Sequence, residues 1–164
     1  MLRRAVATLM CAGVFIAGTG WLAGQSAGTK PLEIYVIDVE GGKSALYIAP
    51  SGQTVLVDSG SAGGRDTDRM MLALADAHVT KLDYVISTHY HSDHVGGLQD
   101  LAGRIPIGTF VDHGATVETA REQVAGFQEM YAGLFGKAKH IVAKAGDVLP
   151  VAGLDWRIVT SAGK

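Results

Sequence analysis

The segment Thr88-His89-Tyr90-His91-Ser92-Asp93-His94-Val95-Gly96-Gly97 gathers three imidazoles and a carboxylate at close spacing. In extended backbone alternate side chains share a face, so His89, His91 and Asp93 point together, and His94 follows where the chain turns into a helix. Imidazole and carboxylate donors suit zinc or another borderline divalent metal. Such a set leaves a coordination position open to water, unlike a closed cysteine cage. That is the character of a hydrolytic site, where water is acidified enough to attack near neutral pH. At this chain's own His and Asp content the pattern arises by chance in about 5 of 10,000 chains, so incidental surface histidines explain it poorly.

The cluster needs a strand to deliver it and a helix to turn it away. Residues 82–87 read as the strand and residues 95–101 as the helix, the strand-end placement at which open α/β layers hold their sites. Gly96 and Gly97 would let the backbone approach a metal or substrate closely. Upstream, residues 32–39, 44–49 and 54–58 are short β-branched or aromatic runs joined by Glu40-Gly41-Gly42-Lys43 and Pro50-Ser51-Gly52-Gln53, which predicts an antiparallel meander. Asp66 or Thr67 is expected to cap a helix to about Ala77, with Met71, Leu74 and Ala75 as its stripe beside Met70. Downstream, residues 105–111 read as a strand. Val117, Ala120, Val124, Phe127, Tyr131 and Leu134 recur at helical spacing and predict the longest helix. Residues 139–142, 148–151 and 154–160 close the chain as short strands. Strands alternating with helices after an antiparallel start give an α/β layered class with a mixed sheet.

The composition bounds what such a site acts on. The chain has 164 residues, 48% hydrophobic and 18% charged, with net charge −2, which suits one modest domain. Acidic residues slightly outnumber basic ones and there is no strong nucleic-acid footprint, leaving a small molecule or a phosphodiester held by local contacts. Residues 1–27 read as a signal peptide: Arg3 and Arg4 form a positive start, an uncharged apolar stretch follows, and Gly24 and Ser26 are small residues before the cleavage point. The domain, residues 28–164, is then periplasmic or secreted, with no stable membrane span after cleavage. Cys11 leaves with the signal, which removes cysteine ligands and nucleophiles.

His-x-His-x-Asp-His after an apolar strand, preceded by Val55-Leu56-Val57-Asp58-Ser59-Gly60, resembles the metallo-β-lactamase fold superfamily of metallo-hydrolases. The resemblance implies one or two zinc ions, or another divalent metal, with His89 and His91 at the first site and Asp93 and His94 at the second. It also implies that Asp93 orients the nucleophilic water and that Asp58 braces the metal loop. The fold it implies is an αββα sandwich, of which residues 28–164 would supply the N-terminal half, incomplete at the C-terminus and prone to self-associate through uncovered sheet. The run Asp38-Val39-Glu40-Gly41-Gly42-Lys43-Ser44-Ala45-Leu46 followed by Pro50-Ser51-Gly52 is similar to the opening of the metallo-hydrolase domain of DNA-uptake competence proteins and their secreted relatives. A tight turn between two strands explains its glycines equally well.

Of the remaining candidates, Asp112 and His113 follow a strand and could line the site mouth. His140 is expected to face solvent from its strand, and Asp147 to lie in a turn. The function read from these residues is an exported metal-dependent hydrolase of an ester, lactone, amide or phosphodiester. The alternative is a catalytically inactive metal-binding or interaction module of the same fold. N-terminal sequencing of the exported protein is expected to find a start between Gln25 and Lys30; a retained Met1 would favour an uncleaved anchor.

Overall fold

The computed structural model describes residues 30–118, 122–134 and 138–164. The signal segment expected at 1–27 lies outside the described residues. Three short strands come first: β1 (Glu33–Val36), β2 (Ala45–Ile48) and β3 (Thr54–Val57). They form the antiparallel meander, with Val36 opposite Ala45 and Ala45 opposite Val57. Gly52 makes the second turn possible at φ 86°, and Ala49 N–H closes that turn on the Gln53 carbonyl at 2.8 Å.

Beyond β3 the pairing becomes parallel. Helix α1 (Arg65–Asp76) leads to β4 (Leu82–Ile86), α2 (Ser92–Val95) and α3 (Leu98–Arg104) lead to β5 (Ile107–Asp112), and α4 (Glu122–Ala132) leads to β6 (Lys139–Val142). The six strands lie in chain order, β1 to β6, in one mixed sheet. Parallel crossovers keep one hand, so a strand order that advances in a single direction puts every connecting helix on the same face. All four helices place buried apolar residues in one core: Met70 and Leu74, Val95, Leu98 and Leu101, Val124 and Tyr131, packed on Leu46, Leu56, Val85 and Phe110 of the sheet.

The opposite face is left for a second sheet, and β7 (Val148–Leu149) paired with β8 (Trp156–Arg157) fills that role. Val55, Val57, Tyr84, Ile86 and Val111 meet Leu149 and Val151 there. Strand β3 is therefore buried on both faces, which is why Thr54-Val55-Leu56-Val57 lacks polar alternation. The layered α/β expectation holds, with a helix layer, a six-stranded mixed sheet and a two-stranded sheet among the described residues.

Three local expectations are corrected. Asp66 and Thr67 do not cap α1: they lie inside its first turn, both buried, and Asp66 accepts the Ser61 N–H at 2.7 Å across the preceding loop. The buried stripe accordingly runs through Asp66, Thr67, Met70 and Leu74, leaving Ala75 exposed. The helix expected at 95–101 is two helices, α2 and α3, joined through Gly96 and Gly97. Val117 is 62% exposed and lies before α4, and Thr116 N–H bonds the Gln128 side-chain oxygen at 3.0 Å; Ala120, expected on the same stripe, lies outside the described residues.

The two leucines of α1 test this packing. Leu74 is 1% exposed and Leu72 71% exposed. Leu74→Ala is expected to lower the unfolding free energy by about 2–5 kcal/mol, measured by urea denaturation. Leu72→Ala should change it by less than about 0.5 kcal/mol.

Candidate metal centre

Strands β3, β4 and β5 end side by side, and the polar residues that follow them meet there. Asp58 leaves β3 with φ 58°, a left-handed conformation uncommon for a residue with a side chain. Its N–H is spent on the Ile86 carbonyl of β4 at 2.8 Å. The carboxylate is carried inward to 1% exposure, where a charge persists only if donors surround it. Three do. Thr88 N–H donates to Oδ1 at 2.7 Å, Thr88 Oγ1–H donates to Oδ2 at 2.7 Å, and His94 Nδ1 lies 2.8 Å from Oδ2.

This arrangement assigns the imidazole protons. A carboxylate only accepts, so the neutral His94 ring carries its proton on Nδ1 and its lone pair on Nε2. The Thr88 hydroxyl has given its single proton to Asp58 and can only accept from His89 Nδ1, 3.1 Å away. His89 also keeps a lone pair on Nε2. The rings are neighbours: His89 stands 3.9 Å from His94 and 4.5 Å from His91, centroid to centroid. Burial first, and then the imidazoles of His94 and His91, hold His89 below the ordinary imidazole value and favour its neutral, ligating form. Asp93 brings its Oδ2 to 3.9 Å from His94 Nε2. The set is three imidazoles and one carboxylate, with lone pairs fixed on two rings, and this chemistry fits a divalent metal of the zinc class. Among the described residues no three donors converge on one point as they stand. His91 Nε2 meets Glu118 Oε1 at 2.8 Å.

The loop carrying these residues is held from behind by backbone. Ser59 N–H donates to the His94 carbonyl at 2.6 Å and Lys43 N–H to the Asp93 carbonyl at 3.2 Å. Gly42 lies so close to the Asp93 carbonyl that a Cβ there would overlap it. Gly96 and Gly97 serve the same purpose, which corrects their expected role. A Cβ on either would strike the loop of residues 59–62, so their closeness is to protein backbone. Glu40, in the turn before Gly42, also has φ 53° and pairs its carboxylate with Arg65 at 2.8 Å and Arg69 at 3.4 Å, tying that turn to α1.

Asp112 and His113 stand at the end of β5, and both line a cavity of about 350 Å³ that also takes in Ser87, Thr88, Thr160 and Ser161. Asp112 is buried and accepts Gly114 N–H on Oδ1 at 2.7 Å, while His140 Nε2 lies 2.6 Å from Oδ2. His140 is exposed on its strand, as expected, and its ring also reaches this carboxylate. The parallel register sets it opposite Phe110, and Asp112, two residues on, shares that face. Asp147 is in a turn as expected, accepting Lys144 N–H at 2.8 Å. Sequence reasoning missed Thr88, Tyr90 and Glu118. Tyr90 is buried with its ring against His113 and Tyr131, burial pushes its phenol above the ordinary value, and its hydroxyl donates to the Gly114 carbonyl at 2.6 Å. Thr88 was recoverable from its place beside His89, whereas Glu118 had no local signal.

Removing the Asp58 carboxylate strands the Thr88 and His94 donors inside the protein. Asp58→Ala is expected to cost about 3–5 kcal/mol of unfolding free energy in urea denaturation, against well under that for a carboxylate at the surface.

The model of the family described as the metallo-beta-lactamase superfamily matches residues 38–160. A metal-dependent hydrolase of Staphylococcus saprophyticus is 38% identical over 63 residues, which are 38% of this chain and 25% of that protein. Hydroxyacylglutathione hydrolase of Stenotrophomonas maltophilia is 30% identical over 102 residues, 62% of this chain and 37% of the relative. The matched regions thus span about a quarter to a third of these relatives. Among solved structures, a metallo-beta-lactamase motif variant of Cronobacter sakazakii superposes with a TM-score of 0.50 at 16% identity, over 76% of this chain and 51% of that one, a likeness of fold alone. With the family model matching most of its length, including every residue of the histidine cluster and Asp58, the chain belongs to the metallo-beta-lactamase superfamily.

Proposed function

We propose that this chain carries the metal-binding core of an exported zinc-dependent hydrolase, with His89, His91, Asp93 and His94 as ligands. The observation that carries this reading is the Asp58 brace, which leaves the Nε2 lone pairs of His89 and His94 unprotonated beside each other. A bound divalent cation supplies Lewis acidity toward the scissile carbonyl or phosphoryl group and a nucleophilic water at neutral pH. The protein's own residues do the rest. Asp58 and Thr88 hold the orientation of two of these rings, His94 and His89. Asp93, partly exposed, accepts a hydrogen bond from the attacking water and aims it. Export rests on the charged start and apolar stretch of residues 1–27.

The hydroxyacylglutathione hydrolase among the relatives favours an acyl substrate, an ester, lactone or thioester, over a phosphodiester. Metal analysis after dialysis provides the test. The His89→Ala, His91→Ala double variant should retain no zinc, and His113→Ala should retain the wild-type amount. Equal loss from His113→Ala would mean that the ligand set is misassigned. Chelator-sensitive, zinc-restored cleavage of a generic acyl thioester is expected. Stoichiometric zinc without turnover of any thioester, ester or phosphodiester would instead indicate a metal-binding module.

A further inference from the structure

Glu118 lies outside the expected ligand cluster, yet its carboxylate meets His91 Nε2 at 2.8 Å. We propose that Glu118 is the positioning residue of His91, holding the Nε2–H so that Nδ1 is the lone pair His91 offers to the metal. This role rests on the metal reading above. His89 and His94 are tethered through Nδ1, by Thr88 and Asp58, whereas the tether on His91 reaches its other nitrogen. Ligating histidines characteristically donate their second N–H to a carboxylate or carbonyl, which sets both tautomer and ring orientation. A pair about one-third exposed on each side adds little to stability, so folding alone does not account for it.

The loop that delivers Glu118 is tied at each step. Asp112 accepts Gly114 N–H at 2.7 Å, and the Gly114 carbonyl accepts both the Tyr90 hydroxyl at 2.6 Å and Gln128 Nε2 at 3.3 Å. Gln128 Oε1 takes Thr116 N–H at 3.0 Å, and Thr116 Oγ1 takes Glu118 N–H at 3.1 Å. Gly114 makes the turn at φ 82°, and a Cβ there would press on Val142 at 3.0 Å. The end of β5, helix α4 and the metal loop therefore all fix the position of this one carboxylate. Tyr90 is covalently flanked by His89 and His91, so the same hydrogen bond that holds the loop also holds the backbone of the ring it serves.

Glu118→Ala and Glu118→Gln in the full chain test the role by two readouts: zinc affinity in competition with a chromophoric chelator, and the ring ¹⁵N shifts of His91 in the metal-free protein, which report its tautomer. Glu118→Ala should lose about 10–100-fold in zinc affinity. Its His91 shifts should move away from the Nε2–H form while the unfolding midpoint stays that of the wild type. Glu118→Gln, whose amide oxygen still accepts, should recover most of both. Affinity within about twofold of wild type and unchanged His91 shifts in Glu118→Ala would overturn the proposal, leaving a surface ion pair. Equal loss in both variants would also overturn it, by making Glu118 a ligand and not a support. A wild-type chain that takes up no zinc defeats the metal reading and this role together, whereas a failure confined to the variants leaves the metal reading standing.

Discussion

The buried carboxylate of Asp58 is the constraint around which the site is organised. A charge at that depth is stable only when its oxygens are occupied, and its three donors come from Thr88 and His94, the residue before the histidine cluster and the last histidine in it. Holding both ends of a short loop against one group fixes the loop between them. The left-handed backbone at Asp58 turns the carboxylate under β4 instead of along β3, a local strain offset by the bonds it makes possible. Ring orientation and tautomer of His89 and His94 follow from the same contact, so a single residue outside the histidine cluster decides how two of its rings present themselves.

The topology explains why such a brace is available. Strand order advances without reversal from β1 to β6, which puts all helices on one face and leaves the other to the β7–β8 hairpin. The ends of β3, β4 and β5 then line up beyond both cores, where polar side chains are not forced into apolar surroundings. Asp58 and Asp112 stand one step past the Val57–Ile86–Val111 row, and Thr88 lies one residue further on. The meander contributes from the other side: its first turn brings Gly42 and Lys43 against Asp93, close enough to require glycine.

Legibility in the sequence followed the range of each interaction. The histidine cluster is contiguous, so its members were grouped by spacing, but the extended backbone expected through Asp93 ends sooner: β4 stops at Ile86, and Asp93 and His94 belong to α2. Asp58 ends an apolar run, a local feature, and the family resemblance gave it a role. The strands were readable because β3 and β4 are short β-branched runs, buried on both faces. Glu118 was invisible because its partner lies across a parallel crossover, and nothing near it in sequence marks the bond to His91. Val117 fits the helical spacing but stands before α4, in a loop that Gln128 ties to the helix through the Thr116 N–H, a contact with no local mark in the sequence. The cap of α1 failed because Asp66 serves Ser61 across the loop, a competition that propensity alone does not register. The exposure of His140 was readable from its strand, but its bond to Asp112 was not, because the register that sets it opposite Phe110, on the face Asp112 shares, is fixed by β5.

The central claim is that Asp58 organises His89, His91, Asp93 and His94 into one metal centre. Anomalous diffraction at the zinc absorption edge, from crystals of the chain grown with equimolar zinc, tests it most directly. A strong peak enclosed by those four side chains is expected, with Asp58 still in hydrogen-bond contact with His94 Nδ1. A peak at Asp112, His113 or His140, or no ordered zinc at all, would contradict it.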